Sequence, residues 1–155
     1  MTSMVGEYLV KMDGKSRIQF PSAFRRQLTE ADMEKFYFRK GDDGCLELYP
    51  ATNFEAICAQ INQMPPHREK TKNLQRRFNK GAVEAFLDST NRILIPKELL
   101  KYAEITDECS LFARGLFIEV WDKDKFEKIS AGGDEEEYLE AMDMIHSNLL
   151  ETMKK

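Results

Sequence analysis

The chain has 155 residues, enough for one domain or for two small units sharing a core. Hydrophobic residues at 42% and charged residues at 32% are ordinary for a soluble globular protein, and no apolar run approaches the ~18 residues of a membrane-spanning helix. The net charge of −4 argues against a nucleic-acid partner only until it is divided: residues 130–155 hold seven acids and two lysines, which leaves residues 1–129 at +1 with basic clusters at 11–26 and 66–80.

In chain order, residues 5–12 read as a strand that ends in the turn Asp13–Ser16, and Arg17–Phe20 as a short strand. Pro21 suits the first turn of a helix over 22–28 that buries Phe24 and Leu28. Phe36–Lys40 and Cys45–Tyr49 are strands joined by the hairpin loop Gly41-Asp42-Asp43-Gly44. Pro50 opens a helix with Phe54, Ile57, Cys58 and Ile61 at helical spacing. Met64-Pro65-Pro66-His67 is a rigid break. A basic connector helix follows over about 68–79, with Leu74 and Phe78 as its apolar pair. Strand 82–87, turn 88–91, strand 92–95, helix 97–103 and strands at 109–113 and 116–121 complete the body. Asp122 is the expected N-cap of a helix burying Phe126 and Ile129. After Ser130-Ala131-Gly132-Gly133, the residues Tyr138, Met142, Ile145 and Leu149 form one apolar seam on an acidic helix.

This order contains a duplication. Asp13-Gly14-Lys15-Ser16-Arg17-Ile18 leads to Pro21, and Asp88-Ser89-Thr90-Asn91-Arg92-Ile93 leads to Pro96, 75 residues later. Leu46-Glu47-Leu48-Tyr49 returns 72 residues on as Ile118-Glu119-Val120-Trp121. Two echoes in one order define two repeats, 4–63 and 81–129, with a connector at 64–80 and an extension at 130–155.

No catalytic constellation is visible, so an enzyme is not expected. His67 and His146 sit in no metal-ligand spacing, there is no CxxC, and no glycine-rich phosphate loop occurs. No cofactor or small-molecule substrate is expected. Cys45, Cys58 and Cys109 are odd in number and far apart, as in a reducing cytoplasm, and Met1-Thr2-Ser3-Met4 has no signal-peptide pattern.

The Asp-x-x-x-Arg turn has two readings. Structurally, an Asp bonds backbone N–H groups of its turn and pairs with the Arg four residues on. Functionally, the turn holds out an arginine whose planar fork suits base edges or phosphate, and its backbone N–H groups contact phosphate as well. Lys11, Lys15, Arg25 and Arg26 flank the first copy, whereas the second has Ser89 and Thr90 where the first has Gly14 and Lys15. The connector helix reads as a solvated face, a subunit contact or a second DNA-contacting surface. The extension reads as a packed helix or a mobile segment.

Gly6-Glu7-Tyr8, both turns with their Pro21 and Pro96, Pro21-Ser22-Ala23-Phe24-Arg25, Gly44-Cys45-Leu46, Leu48-Tyr49-Pro50, Arg77-Phe78, Gly81-Ala82 and Trp121-Asp122 together resemble the MraZ family. That family belongs to the AbrB/SpoVT class of transcription regulators. The likeness covers residues 4 to about 129 in order. It implies a mainly β fold with short helices (α+β): a swapped-hairpin, AbrB-like β-barrel of two pseudo-symmetric repeats, here with a C-terminal helix. It implies ring-like homo-oligomers and binding of double-stranded DNA at repeated promoter boxes, controlling the bacterial division and cell-wall genes from the cytoplasm and nucleoid. The family's loop residues carry over to Asp13, Lys15 and Arg17, and to Asp88 and Arg92. Where the family usually has Gly before the Arg, this chain has Ser16 and Asn91. Asn tolerates a left-handed backbone and Ser does so less well, so the first loop is expected to differ slightly in shape. The competing expectations are an oligomeric scaffold that does not bind DNA and an antitoxin-like member of the same fold class.

Overall fold

A computed structural model describes residues 1–155 as two units, Met1–Lys123 and Asp124–Lys155. The first half supplies β1 (Glu7–Lys11), β2 (Arg17–Gln19), α1 (Ser22–Arg25), α2 (Glu30–Met33), β3 (Phe36–Lys40), β4 (Leu46–Pro50) and α3 (Ala51–Asn62). The connector is α4 (Glu69–Phe78). The second half supplies β5 (Val83–Ala85), β6 (Arg92–Leu94), α5 (Lys97–Ala103), β7 (Glu108–Ala113) and β8 (Ile118–Asp122). The chain closes with α6 (Lys123–Ser130) and α7 (Glu135–Met153).

The fold is mixed α+β on an antiparallel frame. Six strands run in the order β1-β7-β8-β4-β3-β5, and β2 pairs with β6 in a separate ribbon. The pairings cross the repeat: β1 lies on β7, β5 lies on β3, and the ribbon takes one strand from each half. Neither half completes its own sheet. The strands do not close into a barrel, because β1 and β5 remain edges.

Alternation explains both faces of the sheet. Phe36, Phe38, Leu46, Leu48, Ile118 and Val120 point to one side and are fully buried with Ile18 and Ile93 of the ribbon and Phe20 and Phe24 beyond it. Burial of each such side chain contributes roughly 1.5–3 kcal/mol. The intervening residues meet α3 and α4, where Tyr49 packs edge-on against Phe54 and Phe78 and stacks on Phe117, and Phe54 stacks on Phe78, with ring centroids 4.9 to 5.8 Å apart.

The second sequence echo builds the polar part of this face. Glu47 and Glu119 are direct cross-strand neighbours, both buried, and each has an arginine and an aromatic donor. Arg39 Nη1 donates to Glu47 Oε1 at 2.6 Å and the Tyr49 hydroxyl to the same oxygen at 2.7 Å. Arg114 Nη1 donates to Glu119 Oε2 at 3.3 Å, and Trp121 Nε1 to Glu119 Oε1 at 3.1 Å. Arg39 also donates to the carbonyls of Arg77 and Phe78, satisfying exposed acceptors at the end of α4 and tying it to the sheet.

Several local expectations change. The first helix stops at Arg25, and i→i+3 bonds carry the chain on to the buried Leu28. The short helix α2 was not foreseen; its signal is the capping box Thr29-x-x-Asp32. Pro21, Pro50 and Pro96 each stand one residue before their helices, not within the first turn. On α4 the buried residue is Thr71, while Leu74 is exposed because that face turns outward. Asp122 ends β8 opposite Cys109 and stands immediately before Lys123, the first residue of α6, the position expected of an N-cap. In the second unit Phe126 is buried and Ile129 is exposed. The extension is a 19-residue helix capped by Asp134, with Tyr138, Ile145 and Leu149 exposed along it.

Candidate nucleic-acid interface

Both Asp-x-x-x-Arg turns are built alike. Asp13 Oδ1 accepts from the N–H of Lys15 at 2.9 Å and of Arg17 at 3.0 Å, and its Oδ2 accepts from Arg17 Nε at 2.8 Å. Asp88 Oδ1 accepts from the N–H of Thr90 and of Arg92, both at 2.9 Å, and its Oδ2 from Arg92 Nε at 3.1 Å. In each turn the first Asp carbonyl accepts the N–H of the residue before the Arg, and its N–H donates to the Arg carbonyl. The backbone must therefore be left-handed at Ser16 and Asn91, and their φ values are 64° and 62°. The first loop does not differ in shape, because the Asp carboxylate imposes the same hydrogen bonds on both.

Those bonds narrow the role open to the backbone, leaving the N–H groups of Gly14 and Ser89 without a bond inside the turns. The N–H groups of Lys15, Ser16 and Arg17, and of Thr90, Asn91 and Arg92, are all consumed within the turns.

The ribbon sets the two turns side by side. Its register places Ile18 opposite Ile93 and Gln19 opposite Arg92. Ser16 accepts the N–H of Ile95, and Asn91 that of Phe20, each at 2.9 Å, so the residue before each Arg is tied to the other copy. Arg92 Nη1 reaches Asp13 Oδ2 at 3.5 Å, and Arg17 Nη1 lies 3.9 Å from Asp88 Oδ2. Two arginines and two aspartates thus alternate in one neutral quartet. The backbone N–H of Arg92 holds the Asp88 carboxyl down at about 2, aided by Thr90. The backbone N–H of Arg17 lowers Asp13 likewise. Both stay ionised across the physiological range.

The structural reading of the turn is therefore realised in both copies. It leaves room for the functional one: each arginine is oriented through Nε, its side chain remains about a third exposed, and Nη2 is not engaged. Lys15 is exposed beside Arg17. Gly14 has no neighbour within 4 Å of a notional Cβ, and its φ is not positive. The second turn forms equally well with Ser89 there, so folding does not demand this glycine.

The sequence reading missed Gln19. Its amide donates to the carbonyls of Thr90 at 2.9 Å and Asn91 at 3.3 Å, bracing the second turn from the first half. The repeat supplies the signal: the matching residue is Leu94, which is exposed and cannot reciprocate. No group of His, Cys, Asp and Glu side chains is placed to hold a metal ion, and no helix is long and apolar enough to cross a membrane.

Comparison with known proteins agrees with the duplication. The family model described as "MraZ protein, putative antitoxin-like" matches twice, over residues 4–77 and 78–144. A Dictyoglomus thermophilum protein named Transcriptional regulator MraZ is 34% identical over 151 residues, covering 97% of this chain and 99% of its own. Proteins of the same name from Flavobacterium psychrophilum and Christiangramia forsetii are 35% and 33% identical over 129 residues, covering 83% of this chain and 82% and 83% of theirs. The chain belongs to the MraZ family. The second match runs to residue 144, so the family likeness enters the acidic extension instead of stopping near residue 129.

Proposed function

We propose that the protein is a sequence-specific, DNA-binding transcriptional regulator that acts through its paired Asp-x-x-x-Arg turns and is not an enzyme. The observation that carries this reading is the two side-by-side turns, each presenting an arginine fixed through Nε by its own aspartate. The relatives' shared name, Transcriptional regulator MraZ, supports it. Arg17 offers its Nη edge to base or phosphate, Lys15 neutralises phosphate, and Asp13 fixes the loop. Asp88 and Arg92 hold the second turn, which is less basic and serves chiefly as the brace of the first.

One protomer is too weakly basic for tight binding, since affinity depends on the number of phosphates neutralised. A ring-like homo-oligomer solves this by repeating the turn at a fixed spacing along repeated promoter boxes. The free edges β1 and β5 suit such assembly. They are different surfaces at opposite ends of one sheet, with Leu9 and Phe86 exposed near them, as a head-to-tail ring requires. The interleaved strands fit a swapped-hairpin barrel completed on assembly. Residence in the cytoplasm at the nucleoid, and control of division and cell-wall genes including its own, accord with this reading.

The neutral quartet favours one competing reading, an assembly scaffold in which the turns only brace the ribbon. Footprinting on the region upstream of the protein's own gene separates the two. A regulator protects short, regularly repeated segments, whereas a scaffold protects none.

A further inference from the structure

A second cationic site lies away from the paired turns. The loop after β3, the C-terminal end of α4 and α5 enclose an open cleft of about 460 Å³. Lys40, Arg76, Arg77 and Lys80 face it with one carboxylate, Asp42. Three of the four cations are oriented. Arg77 Nε donates to Asp42 Oδ1 at 3.1 Å, Arg76 Nη1 to Asn73 Oδ1 at 3.2 Å, and Lys40 Nζ sits 5.2 Å from the Tyr102 ring centre. Tyr102 is itself anchored by donating its hydroxyl proton to the Gly41 carbonyl. The stem of Lys40 lies where a Cβ on Gly81 would come within 2.7 Å of it, so the glycine lets the lysine lie flat into the cleft. Beneath, buried Arg39 clamps the end of α4 to the sheet through the Arg77 and Phe78 carbonyls, fixing the spacing between helix and strand cations.

A solvated basic face needs none of this. Here three elements converge on a concavity, and the single acid is already shared by Arg77 and by Arg39 at 4.0 Å. Four cations against one acid match the charge of a diphosphate, about −3 near neutral pH, and the volume falls in the range of small-ligand sites. We propose that this cleft binds a diphosphate group, independently of the Asp-x-x-x-Arg turns. A free nucleotide-like molecule supplies a true diphosphate; the other source of paired phosphates is two neighbouring phosphodiesters of bound DNA, which are separate groups of one charge each.

Inorganic pyrophosphate is the probe. Calorimetric titration into the intact protein at constant ionic strength is compared with orthophosphate, and with the double variant Arg76→Gln/Lys80→Gln, which alters only exposed side chains. The proposal expects one saturable site per protomer, at least tenfold tighter for pyrophosphate than for orthophosphate. It expects at least a tenfold loss in the variant at unchanged melting temperature. Absence of saturable binding, or equal affinity in the variant, overturns it. A second arm identifies the source. Displacement of bound duplex by pyrophosphate, with a variant salt slope shallower by about 2, assigns the phosphates to DNA. Pyrophosphate binding that leaves the duplex in place assigns them to a free ligand.

Discussion

Arg92 and Asp13 are 79 residues apart in sequence and 3.5 Å apart in space. The contact joins the two copies of the repeat: the aspartate that fixes the first turn also receives the arginine of the second. Asp13 is therefore expected to matter to both turns. Asp13→Ala removes acceptors for Lys15, Arg17 and Arg92 together and should lower the melting temperature more than Asp13→Asn, which keeps an oxygen for the two N–H groups. Thermal unfolding followed by circular dichroism checks the order wild type, Asn, Ala.

The left-handed residues before the arginines give a second prediction. Ser16 holds φ at 64° without a glycine's freedom. Ser16→Gly should stabilise the protein by about 1 kcal/mol, and Ser16→Val should destabilise it by a similar amount or more. Gly14→Ser should be neutral for stability, because Ser89 occupies the matching place. If DNA approaches the turn closely, the same substitution weakens binding. Urea unfolding and duplex titration read the two effects separately.

Acid should expose a third dependence. Burial raises the Asp32 carboxyl, but hydrogen bonds from Thr2, Thr29 and Thr52 outweigh it and bring the carboxyl to about 2. A carboxyl depressed in the folded state stabilises above its unfolded value near 3.9, and that stabilisation disappears as pH falls through about 2. The contribution at pH 7 is on the order of 2 kcal/mol. Asp32→Asn should lose that amount at neutral pH, and the gap to wild type should close between about pH 4 and pH 2.

The buried pair on the opposite face predicts an asymmetry. Arg39→Ala strands Glu47 and releases the end of α4, which should cost about 3–5 kcal/mol. Arg39→Met with Glu47→Leu removes both charges and should recover part of that loss. Chemical denaturation of the single and double variants tests this.

Much of this architecture is legible in the sequence, and the limits are physical. The turns, the hairpins β3–β4 and β7–β8, and α3 to α5 follow from local chemistry: Asp before Arg, alternating apolar residues, proline just before helices. The second echo is also visible as a repeat, but its purpose is not. Glu47 is buried through contacts with Arg39 and Tyr49 and the neighbouring strand β8, and the β4–β8 pairing is a long-range event. Gln19 is silent as well, since its partners are carbonyls more than 70 residues away. The neutral quartet could not be foreseen from either turn alone. It depends on the β2–β6 register.

The central claim is that the first turn holds DNA. Fluorescence anisotropy of a duplex from upstream of the protein's own gene, beside a scrambled duplex and at several salt concentrations, tests it most directly. Wild type, Arg17→Ala and Lys15→Ala are compared, with melting temperature and oligomer size measured on the same samples. The account predicts preference for the upstream duplex, lost with Arg17→Ala while the fold and oligomer persist, and a shallower salt slope with Lys15→Ala. Equal binding of both duplexes, indifferent to Arg17 and Lys15, would contradict it and leave the turns as braces of a scaffold.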